Sequence, residues 1–284
     1  MATELTSKTC QFHNLKVNVT ERAGKSPAII FIPGVSMTGE IWKKQLESEL
    51  LQDYQLIAID LPGHGTSDNS ASPATDYTIP GYAAAITEMI QQLPVDEFVL
   101  VGYSLGGNAA IEALPALEKC IGIMAVTTAV ATKPFMVEKA FQANPALATI
   151  FKEDANDEEI STLANALFAA GYNDIPKSFK TDFQNTDPKV RGTLAQCIAE
   201  GNYEDEVAIL NKVQIPVAIV TGTDDQFGNP EYLKTLPVPK WTDAAIEVPG
   251  AGHMPQLENS EFFNAALLRF IVHCQAEREA ARVP

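Results

Sequence analysis

The sequence predicts an α/β fold: a mostly parallel, doubly wound sheet covered by helices on both faces, with a helical cap inserted between two of its strands. Three observations predict it. Short, almost continuous apolar runs alternate with amphipathic stretches through the first part of the chain. A long stretch without strand-like runs then interrupts the alternation, which resumes near the C-terminal end. Finally, 284 residues of 46% hydrophobic composition suffice to bury one large core.

In chain order, residues 10–21 alternate apolar and polar side chains, as a half-exposed hairpin does. The runs 28–32, 56–60, 98–102, 121–126 and 216–220 are nearly all apolar, the pattern of parallel strands buried on both faces. Helical spacing over 41–51, 82–93 and 108–117 supplies the crossovers. Residues 131–212 read as helices alone, anchored by Phe135, Phe141, Phe151, Phe168, Phe179 and Phe183. The expected organisation is a core of residues 1–130 and 213–284 carrying a cap of residues 131–212. The insertion falls between the end of one strand and the start of the next. That places it over the carboxyl edge of the sheet, where open α/β sheets hold ligands. A short strand over 245–248 and a helix from about Glu258 close the chain.

Charge narrows the function classes. With 20 basic and 36 acidic residues the formal net charge is −16, which repels phosphate backbones and anionic headgroups. Neither nucleic acid nor a membrane surface is an expected partner. The stretch Met1 to Gln11 is polar, and no run approaches the roughly 18 apolar residues that span a bilayer, so a cytoplasmic location is expected. Cys10, Cys120, Cys197 and Cys274 lie far apart, without zinc-ligand spacing or a disulfide framework. Free buried thiols are expected, with no metal and no cofactor.

The chemistry-bearing segment is Gly102-Tyr103-Ser104-Leu105-Gly106-Gly107, between the run 98–101 and the helix expected from about Asn108. A serine on a strained strand-to-helix turn exposes its hydroxyl above the sheet, and the flanking glycines avoid collisions there. A hydroxyl is a weak nucleophile until a base takes its proton. Of four histidines, His13 lies in the opening hairpin, His64 in the turn 62–65 and His273 within the last helix. His253 follows Gly250-Ala251-Gly252 in a loop leaving the last strand, which can deliver an imidazole to the top of the sheet. An acid must fix the tautomer of that imidazole. Asp224 and Asp225, after the strand 216–220, are both in place for it. An oxyanion needs preorganised donors. The Leu105 N–H supplies one and the Val35 N–H, after the strand ending at Ile32, the other.

These landmarks, with Pro33-Gly34, Asp60-Leu61-Pro62-Gly63-His64-Gly65-Thr66-Ser67 and Gly222-Thr223-Asp224-Asp225, resemble the α/β-hydrolase superfamily over nearly the whole chain except the cap. The resemblance implies a serine hydrolase with Ser104 as nucleophile, His253 as base and Asp225 as acid, the acid falling three residues after the glycine that ends its strand. It also implies a structural role for His64. In layout the chain is similar to the α/β-hydrolase type of N-acyl homoserine lactone hydrolase, around residues 89–93, 102–107, 215–220 and 269–271. This implies a small-molecule ester or lactone as substrate. One departure is Pro33-Gly34-Val35, where such enzymes commonly carry His-Gly and a polar residue, so any side-chain contact made there is lost. A carbon–carbon bond hydrolase of ring-cleavage products and a small-molecule receptor share the elbow, the cap and the triad, and stay open as alternatives.

Overall fold

The computed structural model describes residues 4–282; Met1, Ala2 and Thr3 of the polar opening stretch lie outside them. The hairpin is β1 (Leu5–Phe12) and β2 (Leu15–Arg22), paired antiparallel. β3 (Lys25–Ile32) leads through a 3-10 turn and α1 (Lys43–Leu46) to β4 (Tyr54–Ile59). α2 (Pro73–Asp76) and α3 (Ile79–Gln92) precede β5 (Phe98–Tyr103), which turns directly into α4 (Leu105–Ala113). After β6 (Cys120–Val126) come α5 (Val137–Ala140), α6 (Asp157–Leu167), α7 (Ser178–Asn185), α8 (Pro188–Ala199) and α9 (Glu206–Leu210). The chain ends with β7 (Val217–Gly222), α10 (Pro230–Thr235), β8 (Ile246–Val248), α11 (Pro255–Glu258) and α12 (Ser260–Ala280). Among the described residues no helix is long and apolar enough to cross a membrane.

The strands form one sheet in the order β1-β2-β4-β3-β5-β6-β7-β8. From β4 to β8 neighbours run parallel, and only β2 pairs antiparallel on both sides. Ile30 and Ile32 of β3 enter the core on one face, Ile29 and Phe31 the core on the other. This is why the central strands read as continuous apolar runs. α3 begins with the Thr78 hydroxyl accepting from Gly81 N–H and with Pro80 in its first turn.

Two local expectations are corrected. The stretch 41–51 is not one helix but a 3-10 turn, α1 and a second 3-10 turn. Buried Arg22 donates to the carbonyls of Leu46, Ser48 and Leu51, so these backbone acceptors serve a tertiary contact instead of an i→i+4 ladder. The helix after the serine starts at Leu105, not Asn108. Gly106 and Gly107, which lower helix propensity there, are required by close packing, since a Cβ would stand 2.3 Å from Pro33 O on the first and 1.9 Å from Thr128 Oγ1 on the second.

Between β6 and β7 lie the helices α5–α9, a helical insertion in the sheet's sequence order. Tyr77 Oη donates to Asp187 Oδ2 at 2.9 Å, Asp187 N–H to Gly63 O at 2.9 Å, and Thr38 Oγ1 to Asp182 Oδ2 at 3.1 Å. The last inserted helix, α9, packs against α4. There Glu206, fully buried, accepts from Asn108 Nδ2 at 2.9 and 3.0 Å and from Ala131 N–H at 2.8 Å. Burial outweighs these donors and pushes its carboxyl up to about 8.

A carboxyl raised on folding adds stability that is complete below its unfolded value and is lost as pH climbs toward its folded one. The melting temperature of the native protein minus that of the Glu206→Gln variant should therefore fall by a few degrees between pH 5 and pH 9. Thermal melts across that range check it, and a constant difference would remove Glu206 as the source.

Candidate active site

Ser104 lies at φ 50° and ψ −122°, a left-handed backbone unusual for a non-glycine residue. Its N–H donates to Val126 O at 3.0 Å, and its carbonyl accepts from Gly107 and Asn108 at 2.8 and 3.2 Å. The turn brings α4 against the sheet. A Cβ on Gly102 would stand 2.5 Å from Gly107 Cα, and one on Gly106 2.3 Å from Pro33 O. Neither position can carry a side chain while the serine keeps this conformation.

His253 and Asp225 meet behind the serine. His253 Nδ1 lies 2.7 Å from Asp225 Oδ2, with both side chains almost completely buried. The other carboxylate oxygen accepts from Phe227 and Gly228 N–H at 2.8 and 2.9 Å, which fixes the carboxyl plane. A hydrogen bond donated by Nδ1 to this carboxylate selects the tautomer whose Nε2 can accept a proton. Asp224 is exposed, and its N–H donates to Ala251 O at 2.9 Å. Geometry thus separates the two aspartates that the strand-end position left equivalent. The imidazole is flanked edge-on by Tyr103 and Phe227, with ring centroids 5.6 and 5.2 Å away. Its backbone is pinned by Thr127 Oγ1 donating to His253 O at 2.9 Å and by His253 N–H donating to Leu167 O at 2.8 Å.

Ser104 and His253 line one cavity with Val35, Met37, Tyr103, Ile150, Leu163, Leu167, Phe179 and Phe183. Its volume is about 10 Å³, room for about one water. Among the described contacts the Ser104 hydroxyl makes no direct hydrogen bond to the imidazole; such bonds are often long without a ligand. Leu105 opens α4, so its N–H has no intrahelical acceptor, and Val35 sits in the turn after β3. Neither N–H has a backbone acceptor among the described residues.

The inserted aromatics divide between two spaces. Phe179 and Phe183 wall the serine cavity, while Phe135, Phe141 and Phe151 line a larger apolar cavity of about 350 Å³ with Asn108 and Tyr203. Ile150 and Phe151, neighbours in sequence, stand on opposite sides of the partition. Phe168 is stacked on Tyr172 at 5.2 Å.

The remaining candidates of the sequence lie apart. His64 is buried with Nδ1 3.0 Å from Pro62 O, and burial pushes its pKa down to about 4. His273 packs beside Trp241, and His13 sits in the β1–β2 turn. All four cysteines are buried free thiols. Among the described residues no cluster of His, Cys, Asp and Glu could hold a metal ion.

Two residues at the site escaped the sequence. Glu258 accepts from Gly252 N–H at 2.7 Å and Ala169 N–H at 3.0 Å, and burial raises its carboxyl pKa. No motif marks it. Arg191 is buried among Val190, Leu194 and Cys197 of α8, and a cation on that apolar stripe was the available signal.

Comparison with known proteins adds three likenesses. The chain is 27% identical over 256 residues to a pimeloyl-[acyl-carrier protein] methyl ester esterase of Nitrosomonas europaea, covering 86% of this chain and 95% of that one. It is 27% identical to the crystal structure of a serine-to-glycine mutant of N-acyl homoserine lactonase AidH complexed with N-hexanoyl homoserine lactone. The TM-score is 0.88, with 95% of this chain and 98% of that one covered. An uncharacterized protein of Mycobacterium tuberculosis is 36% identical over 90 residues, a match spanning 32% of this chain and only 25% of the relative. The alpha/beta hydrolase fold matches residues 27–260, which include the parallel strands that position Ser104, Asp225 and His253. By that match the chain belongs to the alpha/beta hydrolase fold family.

Proposed function

We propose that the protein hydrolyses carboxylic esters or lactones through an acyl-enzyme, with N-acyl homoserine lactones as the substrate class. The observation that carries the reading is the buried Asp225–His253 pair, 2.7 Å apart, whose imidazole shares one cavity with a left-handed Ser104. Ser104 Oγ attacks the carbonyl carbon and passes its proton to His253 Nε2, while Asp225 holds the imidazole and stabilises the imidazolium. The oxyanion is held by the N–H groups of Val35 and Leu105. Collapse breaks the bond to the ester oxygen, which takes the proton from His253; water, activated by the same base, then releases the acid. Backbone donors make the loss of a polar side chain at Val35 tolerable.

Residues 131–212 serve as the cap in this reading. Their aromatic walls offer an alkyl chain a dry environment, and the likeness to the lactonase structure supports a lactone head group. A cavity of about 10 Å³ cannot hold an ester, so the walls from the insertion move aside to admit one.

Ser104→Ala should abolish labelling by a fluorophosphonate and lower hydrolysis by several orders of magnitude. Asp225→Asn should lower kcat by about 10⁴-fold, and Asp224→Asn by less than about threefold. Steady-state kinetics on an aryl ester decide the ranking, and its reversal would transfer the role to Asp224. A binding module of this fold would show at most a few turnovers in total.

For acyl homoserine lactones, each added methylene is worth about 0.8 kcal/mol on burial, so kcat/KM should rise up to about fourfold per methylene and then level off. Mass spectrometry should find the open acyl homoserine, one water heavier. Rapid aryl ester turnover with no such product from long-chain lactones would remove the lactone assignment and leave the esterase one.

A further inference from the structure

Arg191 is the buried cation on α8, 3% exposed, with no carboxylate within ion-pair distance among the described residues. Burying a guanidinium is unfavourable unless its fork of donors is satisfied, and an apolar side chain of similar volume would pack the same space more stably. Its hydrogen bonds show what the charge is kept for. Nε donates to Lys152 O at 2.8 Å, Nη2 to Glu153 O at 3.1 Å, and Nη1 to Phe183 O at 3.1 Å. The guanidinium lies over the Phe183 ring, 4.3 Å from its centroid. These three carbonyls belong to the two inserted segments that supply Ile150 and Phe183 to the serine cavity.

The fourth acceptor lies outside the insertion. Nη1 also donates to Ser36 Oγ at 3.2 Å. Ser36 follows Val35 directly, is 2% exposed, and sits at φ 58°, a backbone that a serine keeps only where its surroundings impose it. One planar side chain thus spans from the walls of the cavity to the turn that carries the candidate oxyanion donor.

We propose that Arg191 is a positioning residue that anchors Ser36, and through it the Val35 N–H, so that the oxyanion hole is aligned when the insertion is docked. The inference rests on the esterase reading for its catalytic consequence, and on the hydrogen-bond geometry alone for the anchoring. Lysine keeps the charge at this position but presents its donors from a single nitrogen, which cannot reach four acceptors spread around a plane. Glycine at position 36 accepts the left-handed backbone without strain and removes the hydroxymethyl group that Arg191 holds.

The test uses the whole protein with Arg191→Lys, Ser36→Gly and the double variant, assayed on a p-nitrophenyl ester and by amide hydrogen exchange. Loss of an oxyanion donor outright lowers kcat by about 10²–10³-fold. Misalignment should lower kcat by about tenfold to a hundredfold in each single variant with KM within about twofold, and the double variant should match the more affected single one. In Arg191→Lys, peptides covering residues 33–38 should exchange faster while those of β5 and β7 do not change. A Ser36→Gly protein at native kcat, additive losses, or unchanged exchange in the turn would each overturn the proposal. If Arg191→Lys does not fold, the kcat and KM of Ser36→Gly decide. If the native protein turns over no ester, the esterase reading falls and the catalytic consequence with it. Exchange of the 33–38 turn then decides the anchoring.

Discussion

Everything at the top of the sheet depends on how closely α4 can approach β5 and β3. Ser104 is held at a positive φ, which costs of order 1–3 kcal/mol, and only tight surroundings maintain such a conformation. The tightness is measurable. A methyl group on Gly106 would sit within 2.3 Å of Pro33 O, and one on Gly102 within 2.5 Å of Gly107 Cα. The same closeness sets the start of α4, where the Leu105 N–H has no backbone acceptor among the described residues, against Pro33, two residues before Val35. A looser junction would relax the serine and separate the two N–H groups proposed as oxyanion donors.

This constraint explains what could be read in advance. The central strands were legible because both faces of β3, β5, β6 and β7 are buried, which leaves no polar position to obscure them. Ser104 was legible because it sits between Gly102 and Gly106 at a strand-to-helix boundary, and His253 because it follows Gly250 and Gly252 in the loop after the last strand. Asp225 could be separated from Asp224 only by resemblance; the physical difference is that one carboxylate is buried against Phe227 and Gly228 N–H while its neighbour faces solvent. The break in 41–51 was not legible, because it depends on Arg22, far away in sequence, claiming the carbonyls of a helix-like stretch. Nor could any periodicity tell that Phe179 would wall the serine cavity while Phe151, one partition away, lines another.

The insertion and the histidine loop are joined by hydrogen bonds that no local pattern announces. Leu167 O receives the His253 N–H, and the Glu258 carboxylate bridges Gly252 and Ala169. A half-buried carboxylate is costly unless its lone pairs are satisfied, and two backbone donors serve this one. The imidazole is therefore oriented from two directions: by Asp225 beneath it, and by inserted residues that hold the backbone on which it hangs.

The walls of the serine cavity carry no fixed charge, only aliphatic, aromatic and thioether groups beside the Ser104 hydroxyl, the Tyr103 phenol and the His253 ring. A neutral ester meets little resistance from such walls. In the proposed reading the hydrolysis product is a carboxylate, and among walls without a charged side chain it exchanges its hydration for the backbone N–H donors alone. The net charge of −16 over the rest of the molecule opposes its return from solution as well. On the proposed ester reading, making the acid is also what drives it out.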